Sequence, residues 1–120
     1  TGYNGAPRGR RNCVDLNYCT REALNIPSGE RYELCRSVHA EANAIISAAR
    51  SEALGATLYM ACVEPDTGTL IPGSTSCSMC RRLIINAGIA RVVIRDTRTE
   101  YRVVEVPDWV REDDSLPRSL

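Results

Sequence analysis

Not one Lys occurs in the 120 residues: all fifteen basic side chains are Arg, and fifteen acidic ones balance them. We read the missing Lys as a compositional bias. Its chemical consequence is that any phosphate must be met by guanidinium groups or backbone amides, and the guanidinium fork suits bidentate phosphate contacts. Zero net charge removes the electrostatic drive for tight binding to nucleic acid or to an anionic membrane, so neither is expected as a partner. Long apolar runs are missing too; none approaches the roughly 20 residues that span a bilayer. The opening TGYNGAPRGRRN is no secretory signal, and starting at Thr1 without Met it reads as a trimmed or incomplete N-terminus. There is no internal repeat, and only one His.

Against these absences stand six Cys. In a small secreted chain that count would predict disulfides. Without a signal it predicts metal binding in a reducing, cytoplasmic setting. The length suits one domain over residues 1–120, and the hydrophobic (43%) and charged (25%) fractions are ordinary for a globular protein.

Residues 1–36 are rich in turn formers (Gly2, Asn4, Gly5, Pro7, Gly9, Pro27, Ser28, Gly29), with one short helix expected at Cys19–Leu24 and Thr20 as its cap. They predict an ordered loop, about 10–36, pinned by Leu16, Tyr18, Leu24, Ile26, Tyr32 and Leu34; loops of that length in a compact domain are usually functional. From Val38 to Leu54 the apolar positions take helical spacing, with Ser37 as N-cap and Gly55 after the end. Ala56–Val63 predicts a buried strand that includes Cys62 in the core. Residues 64–76 carry two Gly and two Pro and predict a loop or small hairpin. A second helix follows over Ser78–Ala87, with Met79, Leu83 and Ile84 inward and Gly88 ending it. Strands at Arg91–Ile94 and Tyr101–Val106 and a turn of helix at Asp108–Glu112 complete the pattern. This alternation predicts an α/β layered domain with helices on a mixed sheet, entered in mid-strand at Thr1–Asn4.

Metal-binding residues stand at the start of both long helices. Cys77 and Cys80, two residues apart, can turn both sulfurs toward one ion across a first helical turn, where the partial positive charge favours thiolate. His39 begins the other helix. One imidazole and two thiolates make three ligands, and a tetrahedral zinc with three protein ligands keeps a position for water, the arrangement of catalytic rather than structural sites. Glu41 lies two residues past His39; at a helix N-terminus both can reach forward, and a carboxylate beside a metal-activated water serves as general acid and base. Alone, a Cys-x-x-Cys is more often structural or redox, and a His-x-Glu arises easily by chance. Their joint occurrence at two helix starts favours a catalytic site.

His39-Ala40-Glu41 followed by Cys77-Ser-Met-Cys80 resembles the zinc-dependent cytidine and deoxycytidylate deaminase superfamily. Thr1-Gly-Tyr-Asn-Gly-Ala-Pro-Arg-Gly9, Cys35-Arg-Ser-Val-His-Ala-Glu-Ala-Asn-Ala-Ile45, Thr57-Leu-Tyr-Met60 and Leu83-Ile-Ile-Asn-Ala-Gly-Ile89 are similar to its deoxycytidylate deaminases. The resemblance covers residues 1–9 and 35–106. It departs at Ser76, where the family usually has Pro, and in the long connection Asp66–Ser76.

What the resemblance implies is specific. The fold would be a three-layer α/β/α cytidine-deaminase-like arrangement around a mixed sheet, whose N-terminal helix and first strand this sequence does not contain. The activity would be hydrolytic deamination of dCMP to dUMP and ammonia, with His39, Cys77 and Cys80 on a catalytic Zn²⁺ and Glu41 moving the protons. Asn4 and the backbone near Ala40 and Ser76 would meet base or sugar, Arg8 (with Arg10 and Arg11 competing) the phosphate, and Tyr101 the far side of the pocket. From the residues alone, Asn4 reads equally as a turn residue and Tyr101 as core. Many deoxycytidylate deaminases are homo-oligomers regulated by dCTP and dTTP, which would give Gly2, Tyr3, Asn4 and Gly5 an effector role. Some relatives carry a second, structural zinc, for which Cys13, Cys19 and Cys35 are the available thiols; separate buried thiols are the preferred reading of those three. The rivals are the same chemistry on cytidine, a tRNA base or a riboflavin-pathway pyrimidine, a structural zinc module closed by a fourth Cys, and a thiol redox protein.

Overall fold

The computed structural model describes residues 1–113 and Leu116, and the chain divides into two units, residues 1–47 and 48–120.

In the first unit short helices are strung along an irregular backbone: α1 (Cys13–Leu16), α2 (Thr20–Ala23), a 3₁₀ turn (Tyr32–Leu34) and α3 (Ala40–Ser47). The long loop therefore holds three short helical pieces where one was expected. Cys19, not Thr20, occupies the cap position of α2. Pairing of Val38 with Gly5, through Val38 N–H to the Gly5 carbonyl (2.7 Å) and the reverse (3.2 Å), delays the start of α3. That bridge holds Val38 extended, so Ser37 does not cap the helix, which starts at Ala40 rather than at Val38. The strand end expected at Thr1–Asn4 is reduced to this bridge. Of the residues expected to pin the loop, Leu16, Ile26, Tyr32 and Leu34 are half-buried, whereas Tyr18 and Leu24 are exposed.

The predicted helix over 38–54 is broken. After Ser47 the chain bends, Ala49 takes an extended conformation (φ −72°, ψ 146°), and a single turn, α4 (Arg50–Ala53), follows in the second unit. Neither Gly nor Pro marks the break. The turn is fixed from outside the local sequence: Arg50 Nη1 donates to the Asn86 carbonyl (3.0 Å) and Gly55 N–H to the Gly88 carbonyl (2.7 Å).

The second unit is a three-stranded mixed sheet in the order β1 (Thr57–Ala61), β2 (Arg91–Arg95), β3 (Tyr101–Glu105), with β1 parallel and β3 antiparallel to β2. A right-handed crossover would be the usual way to join the parallel pair, and here α5 (Ser78–Ala87) lies between them in sequence. Its bounds match the expectation, and Gly88 closes it in the left-handed region (φ 80°). Buried Cys80, Ile84 and Ala87 form its inner stripe, and Val92, Ile94, Ile89 and Val106 complete the core. Leu83, expected inward, is 42% exposed, at the flank of the stripe that Cys80, Ile84 and Ala87 bury. Helix α6 (Val106–Glu112) packs on α5, with the Arg81 guanidinium 5.1 Å from the Trp109 ring centroid.

Strand β1 is an edge strand among the described residues, not a buried one. Alternation turns Tyr59 (77% exposed), Val93 and Val103 to the face opposite Val92 and Ile94. Cys62 lies beyond the strand end, half-buried rather than core. Residues 64–76 open with a small hairpin, Val63 bridging Leu70. The polar tail lies outside the described residues beyond Asp113, Leu116 excepted. No helix among the described residues is long and apolar enough to cross a membrane.

Candidate active site

Helix α3 brings His39 and Glu41 to one end of the first unit, His39 just before its first residue and Glu41 in its first turn. The Gly2–Gly5 segment lies directly against that turn. A side chain at Gly2 would strike the backbone of Ala40, Asn43 and Ala44, so only glycine permits the approach. Asn4 Oδ1 accepts the Ala40 amide N–H (2.7 Å), and Asn43 Nδ2 donates to the Tyr3 carbonyl (2.8 Å) and to that of Val38 (3.4 Å). Asn4 thus satisfies one of the orphan amides at a helix start through its oxygen. Asn43 was not singled out from sequence. The available signal was a polar side chain of low helix propensity in the middle of a helix rich in Ala and Ile.

The second unit contributes Cys77 as N-cap residue of α5 and Cys80, fully buried, in its first turn. Ser76 is 2% exposed; its Oγ lies 3.6 Å from Met60 Sδ, and its carbonyl accepts from Arg81 Nε (3.1 Å). The chain leading to it is tethered to the sheet. Arg102 on β3 makes two bonds to Asp96 (2.7 and 2.9 Å) and one to the Ser74 carbonyl (2.5 Å), while Asp96 Oδ1 accepts the Gly73 N–H (2.8 Å). These bonds, the Arg102 contact foremost and then the Gly73 amide, hold the Asp96 carboxyl below the usual carboxylate range, and Arg102 is raised in turn.

The ligand atoms of His39, Cys77 and Cys80 all lie within 4.8 Å of one another. Among the described residues this is the one set of three or more His, Cys, Asp and Glu side chains so gathered, and no disulfide consumes the thiols. An imidazole and two sulfurs, one of them fully buried at a helix N-terminus, make a donor set suited to zinc.

The remaining expected residues are placed as follows. Cys13, Cys19 and Cys35 are half-buried free thiols that are not gathered into a second set; they sit on α1, at the cap of α2 and at the end of the 3₁₀ turn. Arg8 is exposed in a turn closed by Arg10 N–H on the Pro7 carbonyl (2.9 Å), as are Arg10 and Arg11. Tyr101, which its strand position marks as core, is 58% exposed, with the Arg95 guanidinium 5.7 Å from its ring centroid, on the sheet face opposite Val92 and Ile94.

The zinc-binding region of cytidine and deoxycytidylate deaminases is matched over residues 1–96, and the chain belongs to this family. Among its curated relatives is the deoxycytidylate deaminase of Mycobacterium phage D29, 39% identical over 98 residues, covering 78% of this chain and 65% of that protein. The deoxycytidylate deaminase of Schizosaccharomyces pombe is 36% identical over 93 residues (78% of this chain, 25% of the relative), and that of Enterobacteria phage T4 is 31% identical over 140 (91% and 64%). The chain thus spans less than two thirds of each of these relatives' lengths. No solved structure gives a significant match. The mixed sheet with its helices agrees with the expected α/β deaminase class.

Proposed function

We propose that this protein deaminates dCMP to dUMP and ammonia, consuming one water. The observation that carries the reading is the gathering of His39, Cys77 and Cys80 into one three-ligand set, with Glu41 two residues from His39. Zinc held by these three side chains would supply an acidified water as the nucleophile. Glu41 would carry one proton of the attacking water to N3 of the cytosine ring and the other to the departing amino group, which leaves as ammonia. Asn4 presents its amide nitrogen toward base or sugar while its oxygen holds the Ala40 amide. Backbone groups near Ala40 and Ser76 border the pyrimidine, and Arg8 meets the phosphate from an exposed turn, where a guanidinium can form paired bonds.

The names of the curated relatives support dCMP over free cytidine as substrate. The resemblance of the Thr1–Gly9 segment to deoxycytidylate deaminases favours a homo-oligomer with dCTP and dTTP as effectors near Gly2–Gly5, and six free Cys favour a reducing, cytoplasmic setting. The test is to load the protein with zinc and follow ammonia release from dCMP, CMP, deoxycytidine and cytidine, with and without dCTP. Fastest release from dCMP is expected. A zinc-bound protein that deaminates none of the four would overturn the reading.

A further inference from the structure

The loop between Arg10 and Arg36 takes no part in the deamination chemistry, yet one of its side chains touches a metal ligand. The Tyr32 ring stands edge-on to the His39 imidazole, with centroids 5.0 Å apart and planes at 84°. This is the T-shaped arrangement that aromatic pairs favour. Tyr32 is itself held on other sides. The Arg21 guanidinium covers its ring face at 4.3 Å from the centroid, and its hydroxyl accepts the Gly29 N–H at 3.2 Å. Arg21 is fixed in turn, donating through Nε to the Glu30 carbonyl (2.9 Å) and through Nη2 to the Pro27 carbonyl (2.8 Å). One guanidinium thereby joins α2, the 27–30 turn and the Tyr32 ring, all within the first unit.

We infer that Tyr32, clamped by Arg21, is a positioning residue for the metal ligand His39. An imidazole on a free side chain must give up rotation about two bonds when it ligates an ion. A ring held edge-on against it removes part of that freedom in advance, so less is lost on binding. The long loop then has a function that its irregular backbone does not advertise: it carries a rigid aromatic wall to the only imidazole in the chain. Groups that orient metal ligands from outside typically change metal affinity by about 10- to 100-fold when removed. The inference rests on the reading of His39 as a zinc ligand.

Zinc affinity, by competition with a chromophoric chelator, and the absorption of the cobalt(II)-substituted protein would be compared for wild type, Tyr32→Phe, Tyr32→Leu and Arg21→Leu. Neither readout requires turnover or nucleotide. Tyr32→Leu is expected to weaken zinc by about tenfold and to alter the cobalt ligand-field bands, since it removes the aromatic edge. Tyr32→Phe keeps the ring, loses only the bond from Gly29, and is expected to restore both. Arg21→Leu should fall between them. Wild-type affinity and spectrum in a folded Tyr32→Leu protein would overturn the inference. So would a Tyr32→Phe protein as impaired as Tyr32→Leu, because the effect would then lie in the loop's hydrogen bond. Should Tyr32→Leu fail to fold, Arg21→Leu with wild-type affinity overturns it equally. Zinc binding that survives His39→Ala unchanged would sink the metal-site reading itself, a failure distinct from either.

Discussion

At the scale of single residues, the proposed function gives proton traffic to Glu41 and metal retention to other side chains. Glu41 lies in the first turn of α3 but outside the gathered set of His39, Cys77 and Cys80. Glu41→Gln keeps the shape of the side chain and removes its capacity to accept a proton. Turnover of dCMP should therefore fall by about 10²–10⁴-fold while zinc content stays at the wild-type level. Steady-state kinetics beside metal analysis would check this, and normal activity in the Glu41→Gln protein would strip Glu41 of its role. The residues named for the site and its support differ in how visible they are in the sequence. His39, Cys77 and Cys80 were legible because few residue types bind zinc and their spacing is constrained by a helical turn. Asn43, Arg21 and Tyr32 were not, since each acts on a partner far along the chain or through a loop with no repeating geometry.

Among the elements, the connection 66–76 is tied to the sheet by hydrogen bonds between Gly73 and Ser74 and the Asp96–Arg102 ion pair. Asp96 has a lowered folded-state pKa, so its bonds to Arg102 and Gly73 contribute stability in full above the ordinary Asp value. That contribution is lost as pH falls from there through the lowered value. Acidification below about pH 4 should then lower the melting temperature of the wild type more than that of Asp96→Asn, whose side chain carries no charge at any pH. Parallel acid profiles for the two proteins would show that the pair does not hold the loop. Elements with a strong local signal came through with their bounds intact, as α5 did between the capping Cys77 and the left-handed Gly88. Helix α3 did not. The Val38–Gly5 bridge shortens its start, and the break at Ala48–Ala49 defies the helix propensity of alanine, because the following turn is held by Asn86 and Gly88.

For the whole molecule, three ligands separated as widely as positions 39 and 77 make metal binding and stability one problem. Zinc that binds the folded chain far more tightly than the unfolded one adds roughly 4 kcal/mol at a thousandfold excess over its dissociation constant. For a chain of this size that corresponds to roughly 10–20 °C of melting temperature. Stripping the metal with a chelator should lower the melting temperature by about that much, and added zinc should restore it. An unchanged melting curve after verified metal removal would contradict the proposed coupling.

The sequence by itself determined the α/β class, the bounds of α5, the strands of the mixed sheet, and the ligand types that make zinc the fitting ion. These follow from local rules: periodicity, capping, and the short list of side chains with soft or imidazole donors. Only the tertiary structure decided that Tyr59 and Tyr101 face outward, that Gly2 must be glycine to lie against α3, and that Cys13, Cys19 and Cys35 are not gathered into a second three-ligand set. It alone seats Tyr32 against His39. Each of these depends on which segments meet across long stretches of chain, where neither spacing nor propensity carries information.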